Sequence, residues 1–214
     1  FGAFDVPPRA LHLSVRRQRQ IGIRDRFSNG QALEAIRLLL EYLPSAYQNG
    51  QKDAKAREKV HYAASMAGIA FANAFLGGCH SIVHKLGSAF HLAHGLSNAL
   101  LITDVIRYNA TDNPVQQGTF PQYKYPQAKT RYAKIADYLA LGGATDDEKV
   151  ERLIQAVEGL KRAIDIPTSI QSTGVNEEEF ISRLDELAEE AFDDQCTPAN
   201  QRYPLVAEIK QLYK

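Results

Sequence analysis

Apolar residues recur at three- and four-residue spacing along most of the chain, which predicts helices. SNGQALEAIRLLLEYLP (28–44) opens on Ser28 or Asn29 as a capping residue and should stop at Pro44. DAKAREKVHYAASMAGIAFANAFLG (53–77) begins charged and becomes apolar, with small residues on all sides, as a helix entering a core should. NALLITDVIRYNA, QAKTRYAKIADYLAL, DDEKVERLIQAVEGLKRAIDI and NEEEFISRLDELAEEAFDD follow, each ended by Gly, Asn or Pro signals. The linkers are short apart from NPVQQGTFPQYKYPQ (113–127), a long loop rich in Pro, Gln and Tyr. No stretch alternates like a strand over more than a few residues, and no P-loop or G-x-G-x-x-G occurs. The prediction is an all-α domain.

Composition narrows the partners. The 44% hydrophobic content is ample for a core. Twenty-five basic and 25 acidic residues cancel, which gives no bias toward nucleic acid or an anionic membrane. The longest apolar runs, such as SNALLIT, are far too short to span a bilayer. FGAFDVPPRALH carries no secretory leader, and two cysteines make no disulfide framework, so a reducing cytoplasm is the expected location. One segment breaks the pattern. Residues 1–27 form an atypical basic stretch, with no acid between Val6 and Arg24 and neither a clean helical nor a strand period.

Candidate chemistry concentrates in GGCHSIVHKLGSAFHLAHG (77–95), which holds four of the six histidines: His80, His84, His91 and His94. His80 and His84 are four apart and share a helical face. His80 and His94 are fourteen apart, about 21 Å on a continuous helix, whereas ligand nitrogens of one ion stand within roughly 4 Å. Both reach one ion only if the chain turns back between them, and Gly87 with Ser88 is the expected break, Gly95 a second. A lone histidine in an apolar helix is usually a hydrogen-bonded core residue; four within fifteen favour a metal site. His61 reads as a structural or surface histidine, and His12 lies in the atypical stretch.

GIAFANAFLGGCHSIVHKLGSAFHLAHGLSNALL with VIRYNATDNP, and FDDQCTPANQRYP near the end, resemble the iron-containing (group III) alcohol dehydrogenases. The nearest resemblance is to the C-terminal part of the bifunctional aldehyde–alcohol dehydrogenases, over residues 28–214. It implies the helical, dehydroquinate synthase-like metal-binding domain of an enzyme that interconverts a primary alcohol and its aldehyde, such as ethanol and acetaldehyde in fermentation. The implied cofactors are Fe2+, with Zn2+ as the alternative ion, and NAD(H). By matching, His80, His94 and Asp5 are metal ligands, His84 handles a proton beside the nicotinamide, and Phe71 and Cys196 line the substrate pocket. His91 marks the bifunctional subgroup. Implied partners are a small alcohol or aldehyde, further copies in a homo-oligomer, and a fused aldehyde dehydrogenase domain.

The sequence departs from the family at several points. It reads LAHG for IPHG and PANQR for PANPR or GANPR, and neither change removes a functional group. The fourth residue after Asp5 is Arg9 where a ligand histidine is expected, and guanidinium has no lone pair to donate. Pro7 and Pro8 would also break the helical turn that aligns the two ligands. Resemblance stops at Val6 and resumes at Phe27, the pattern of a translated frameshift. The family's N-terminal α/β domain, with its G-G-G-S phosphate turn, has no counterpart in these residues. A truncated, catalytically silent helical module is therefore the rival reading. A zinc hydrolase is weaker, because no glutamate stands beside the H-x-x-x-H pair as a base.

Overall fold

The structure is a computed structural model that describes residues 24–74, 76–112 and 127–214. Asp5, Arg9 and His12 lie outside them, as do the frameshift reading and most of the 113–127 loop. The main helices are α1 (Arg24–Asn49), α2 (Ala54–Ala74), α3 (Gly78–Phe90), α4 (His94–Asn109), α5 (Ala128–Tyr138), α6 (Asp146–Ala163), α7 (Glu177–Phe192) and α8 (Val206–Leu212). Short 3-10 turns occur at Gln171–Thr173 and Thr197–Ala199. There is no strand among the described residues. The fold class is all-α, as the apolar period predicts.

The main core is built by α3, α4, α7 and α8. Ile82, Val83 and Leu86 of α3 meet Leu100, Leu101 and Val105 of α4, and Leu184, Leu187 and Ala191 of α7 close over them. Ile209 and Tyr213 complete the cluster, and the Tyr213 hydroxyl donates to the Ile82 carbonyl at 2.8 Å. The α1–α2 hairpin forms a smaller apolar cluster of its own around Ala35, Leu38 and Ala63. Helix α6 buries Val150 and Ile154 against Ile106 of α4. Side chains cap α6 and α7: Thr145 accepts from the Glu148 N–H at 3.2 Å, and Asn176 from the Glu179 N–H at 2.9 Å.

Three local expectations are corrected. Helix α1 starts at Arg24, ahead of Ser28 and Asn29, and Ser28 is buried inside it. Pro44 sits within α1 rather than ending it. Proline deletes one helical hydrogen bond, yet the turn beyond it is held from outside. Ser45 donates to Asp53 at 2.7 Å and Tyr47 to Asp165 at 3.3 Å. Helix α2 does not enter a core on all sides. It buries a stripe of Ala56, Ala63 and Ala70, and Tyr62, Ile69 and Phe71 stay exposed.

Candidate metal centre

The site begins with the 3.6-residue period of α3. That period turns Ile82, Val83 and Leu86 into the core and sets His80 and His84 on the opposite side. Gly87 does not break this helix, since α3 runs on to Phe90. The reversal falls at His91, which ends α3 in the left-handed conformation at φ 54°, and Ala93 (φ −58°) leads into α4. The helix tolerates glycine at 87 at a cost of about 1 kcal/mol. The tight space there explains the residue, because a Cβ at Gly87 would stand 3.2 Å from the Leu92 carbonyl oxygen. His91 thus has a structural role in the turn.

The turn carries His94 back onto α3. Ring centroids of His80 and His94 are 5.3 Å apart, those of His84 and His94 5.5 Å, and those of His80 and His84 5.9 Å. Three imidazoles meet at one junction, with His94 exposed and the other two half-buried. Burial, followed by the neighbouring His94 and His84 rings, pushes the pKa of His80 below the ordinary histidine value, against the opposing pull of Asp194. A neutral ring keeps the lone pair a metal requires.

The segment after α7 supplies the surroundings. His84 Nδ1 lies 3.4 Å from Asp194 Oδ2, and Lys85 Nζ is 3.4 Å from the same oxygen. Burial raises the Asp194 pKa, but the Cys196 N–H bond at 2.9 Å and the His84 and Lys85 contacts outweigh it, leaving the carboxyl below its usual range. Cys196 is 1% exposed, and burial, with Asp194 beside it, pushes its thiol up to about 11. Cys79 is pushed up to about 12 by burial. Asn98 donates to His94 Nε2 at 3.1 Å and to the His94 carbonyl at 3.0 Å, and its own oxygen lies 3.5 Å from Cys79 Sγ.

One buried asparagine locks this arrangement to the rest of the fold. Asn200 accepts from the Gly78 N–H at 3.1 Å and exchanges hydrogen bonds with Asn109 at 2.8 and 3.3 Å. It also donates to the Arg202 carbonyl at 2.6 Å. Glycine suits the positions opposite it, because a Cβ at Gly77 or Gly78 would stand 3.0 or 3.1 Å from its side chain and force it to shift. Thr197 adds a second tie, donating to the Ala191 carbonyl at 2.6 Å and lying 2.8 Å from Ser81 Oγ.

Of the sequence candidates, the structure brings together His80, His84, His94 and Cys196. Phe71 is 52% exposed near the end of α2. Asp5 lies outside the described residues, and His61 is exposed, consistent with its surface reading. Sequence reasoning missed Asp194, Asn98 and Asn200. Asp194 and Asn200 flank Cys196 in the quoted FDDQCTPANQRYP, where only the cysteine drew attention.

Three imidazoles gathered at a two-helix junction are a donor set of the type that metal-binding helical domains use. Residues 25–214 match the Fe-containing alcohol dehydrogenase family, C-terminal. The bifunctional aldehyde-alcohol dehydrogenase AdhE of Escherichia coli (strain K12) is 54% identical over 214 residues, covering 99% of this chain and 24% of that protein. The aldehyde-alcohol dehydrogenase of Clostridium acetobutylicum is 58% identical over 187 residues, covering 87% and 22%. An iron-containing alcohol dehydrogenase structure from Thermococcus thioreducens superposes with a TM-score of 0.71 at 36% identity, over 87% of this chain and 43% of that one. A 1,3-propanediol oxidoreductase structure gives 0.73 at 30% identity, over 87% and 44%. The chain belongs to the Fe-containing alcohol dehydrogenase family, a family of oxidoreductases, and corresponds to its C-terminal part. It spans about a quarter of the length of the aldehyde-alcohol dehydrogenases it matches.

Proposed function

We propose that the chain is the metal-binding domain of a cytoplasmic, NAD(H)-linked alcohol dehydrogenase that interconverts a primary alcohol and its aldehyde, with ethanol and acetaldehyde as the pair. The convergence of His80, His84 and His94 within 5.9 Å carries this reading. The donor set suits a borderline divalent ion, Fe2+ with Zn2+ as the alternative. His80 and His94 hold it, and Asp5 is the further candidate ligand in this chain. When bound, the ion supplies Lewis acidity toward the substrate oxygen and the dinucleotide supplies the hydride chemistry.

The chain's own residues do the rest. His84 stands beside the ligand pair and moves the hydroxyl proton, as a positioned imidazole can by donating from one ring nitrogen and accepting at the other. His84 Nδ1 faces Asp194 at 3.4 Å, which leaves Nε2 as the nitrogen for that transfer. Asn98 orients the His94 ring from one side. Phe71 and Cys196 are assigned to the substrate pocket. The identity to aldehyde-alcohol dehydrogenases supports a fused aldehyde dehydrogenase domain in the longer protein, and homo-oligomers are part of the same proposal.

In the longer protein, His80→Ala and His94→Ala should each abolish stoichiometric iron or zinc, measured by elemental analysis. Full metal retention in both variants would refute the ligand assignment. One observation favours a second reading, a catalytically silent module: Arg9 stands where a third histidine is expected and donates no lone pair.

A further inference from the structure

A second set of donors stands beside the His80–His94 pair and is not used by that ligand assignment. Ligand atoms of His84, Asp194 and Cys196 all lie within 4.8 Å of one another. They come from two elements, α3 and the segment after α7, and offer one nitrogen, one oxygen and one sulfur. The oxygen and sulfur side is fixed. Asp194 is tied down by the Cys196 N–H at 2.9 Å, its side chain is 8% exposed, and Cys196 is buried next to the anchored Thr197. The nitrogen side can move, because the His84 side chain is 35% exposed.

Metal bonds of about 2.1 Å to nitrogen and 2.3 Å to sulfur place two ligands of a tetrahedral ion roughly 3.5 Å apart. Closing 4.8 Å to that spacing takes a shift of about 1 Å, within reach of a rotation of the partly exposed imidazole. Among the described residues Lys85 is a competing cation, 3.4 Å from Asp194, and its side chain is 27% exposed, so it can be displaced toward solvent.

We infer that His84, Asp194 and Cys196 form a site for a thiophilic divalent cation of the Zn2+ or Cd2+ class, distinct from the His80–His94 pair and sharing its junction. Binding breaks the Cys196 S–H bond, forms a sulfur–metal bond and releases the proton to solvent, with no change of oxidation state. Cys196 is 1% exposed and its sulfur sits in a mixed nitrogen, oxygen and sulfur donor set, which selects a cation with strong thiolate affinity. Hard ions such as Mg2+ and Ca2+ lack that affinity. A cation here takes His84 out of proton transfer and inhibits the enzyme; that consequence rests on the proposed function, whereas the site itself does not.

The test titrates Cd2+ into the longer, iron-loaded protein and follows thiolate-to-cadmium charge-transfer absorption in the ultraviolet. One equivalent of band should appear in the native protein and vanish in Cys196→Ser, a near-isosteric change that removes only the thiolate. His84→Ala and Asp194→Asn should keep sulfur in place and weaken Cd2+ binding roughly tenfold or more. A band that persists in Cys196→Ser, or an affinity unchanged in both other variants, overturns the site. If Cys196→Ser fails to fold, as judged by circular dichroism, the other two variants decide. His80→Ala and His94→Ala separate the two claims: both should keep the cadmium band whether or not they lose iron, and its loss in them, with retention in His84→Ala, also overturns the site. Cadmium binding without inhibition would remove His84 from proton transfer and leave the site standing.

Discussion

Asn200 shows how much of the centre depends on a residue that touches no imagined ligand. Its side chain joins the first turn of α3 to the last turn of α4, the two helices that carry the histidines. Removing it takes the acceptor from the Gly78 N–H and the donor from the Asn109 side-chain oxygen, while the Asn109 amide nitrogen keeps the Tyr132 hydroxyl at 3.4 Å. Buried unsatisfied groups cost about 1–3 kcal/mol each. Asn200→Ala should therefore destabilise the domain by about 3 kcal/mol, read as a lower urea midpoint at unchanged m-value. A loss below about 1 kcal/mol would show that the tie carries little. At the same scale, His91 gains a meaning that the sequence did not suggest. Its left-handed φ of 54° ends α3 and starts the reversal that returns His94 to His80.

Among the elements, α1 and α2 pack mainly on each other, and hydrogen bonds from Tyr47 to Asp165 and from Tyr138 to Glu34 link α1 to the rest of the domain. Glu34 of α1 accepts two bonds from Arg37, at 2.7 and 2.8 Å, and one from Tyr138 of α5 at 2.9 Å. The Arg37 bonds come first among the causes that lower the Glu34 pKa to about 2. A carboxylate depressed in the folded state stabilises above its unfolded value and loses that contribution as pH falls through the folded one. The window runs from 4.5 down to about 2. Glu34→Gln should accordingly flatten the dependence of stability on pH in this range, checked by urea unfolding at successive acid pH values. The effect will be modest, because Glu34 and Arg37 are 32% and 39% exposed and water screens the pair. An unchanged acid limb would show that Glu34 is not what ties α1 to α5 in acid.

For the whole molecule, the separation of the α1–α2 cluster from the main core leaves Tyr62 and Ile69 exposed on one side of α2 and Phe71 exposed on the other. No single described helix is long and apolar enough to cross a membrane. The dinucleotide site of the proposed enzyme has no counterpart motif in these 214 residues. The chain on its own should therefore give no saturable change in NADH fluorescence, and the longer protein should. Saturable binding by the chain alone would place a dinucleotide site inside the helical domain.

The sequence by itself determined the helical class, because the 3.6-residue apolar period is a local property that burial merely exploits. Type and spacing also singled out the cluster of His80, His84, His91 and His94, and the family resemblance rather than the spacing divided it into ligands, proton carrier and subgroup marker. The sequence misplaced the turn between them. Gly87 looked like a break on propensity, but its missing Cβ makes room for the Leu92 carbonyl inside a continuous helix, a need set by packing. It misjudged Pro44 for the same reason, since the bonds that carry α1 past it come from Asp53 and Asp165. Only the tertiary structure decided that Asp194 and Cys196, 110 and 112 positions from His84, stand beside it. That pairing is made by the docking of the segment after α7 through Thr197 and Asn200, and no local pattern records which distant surface a loop will meet.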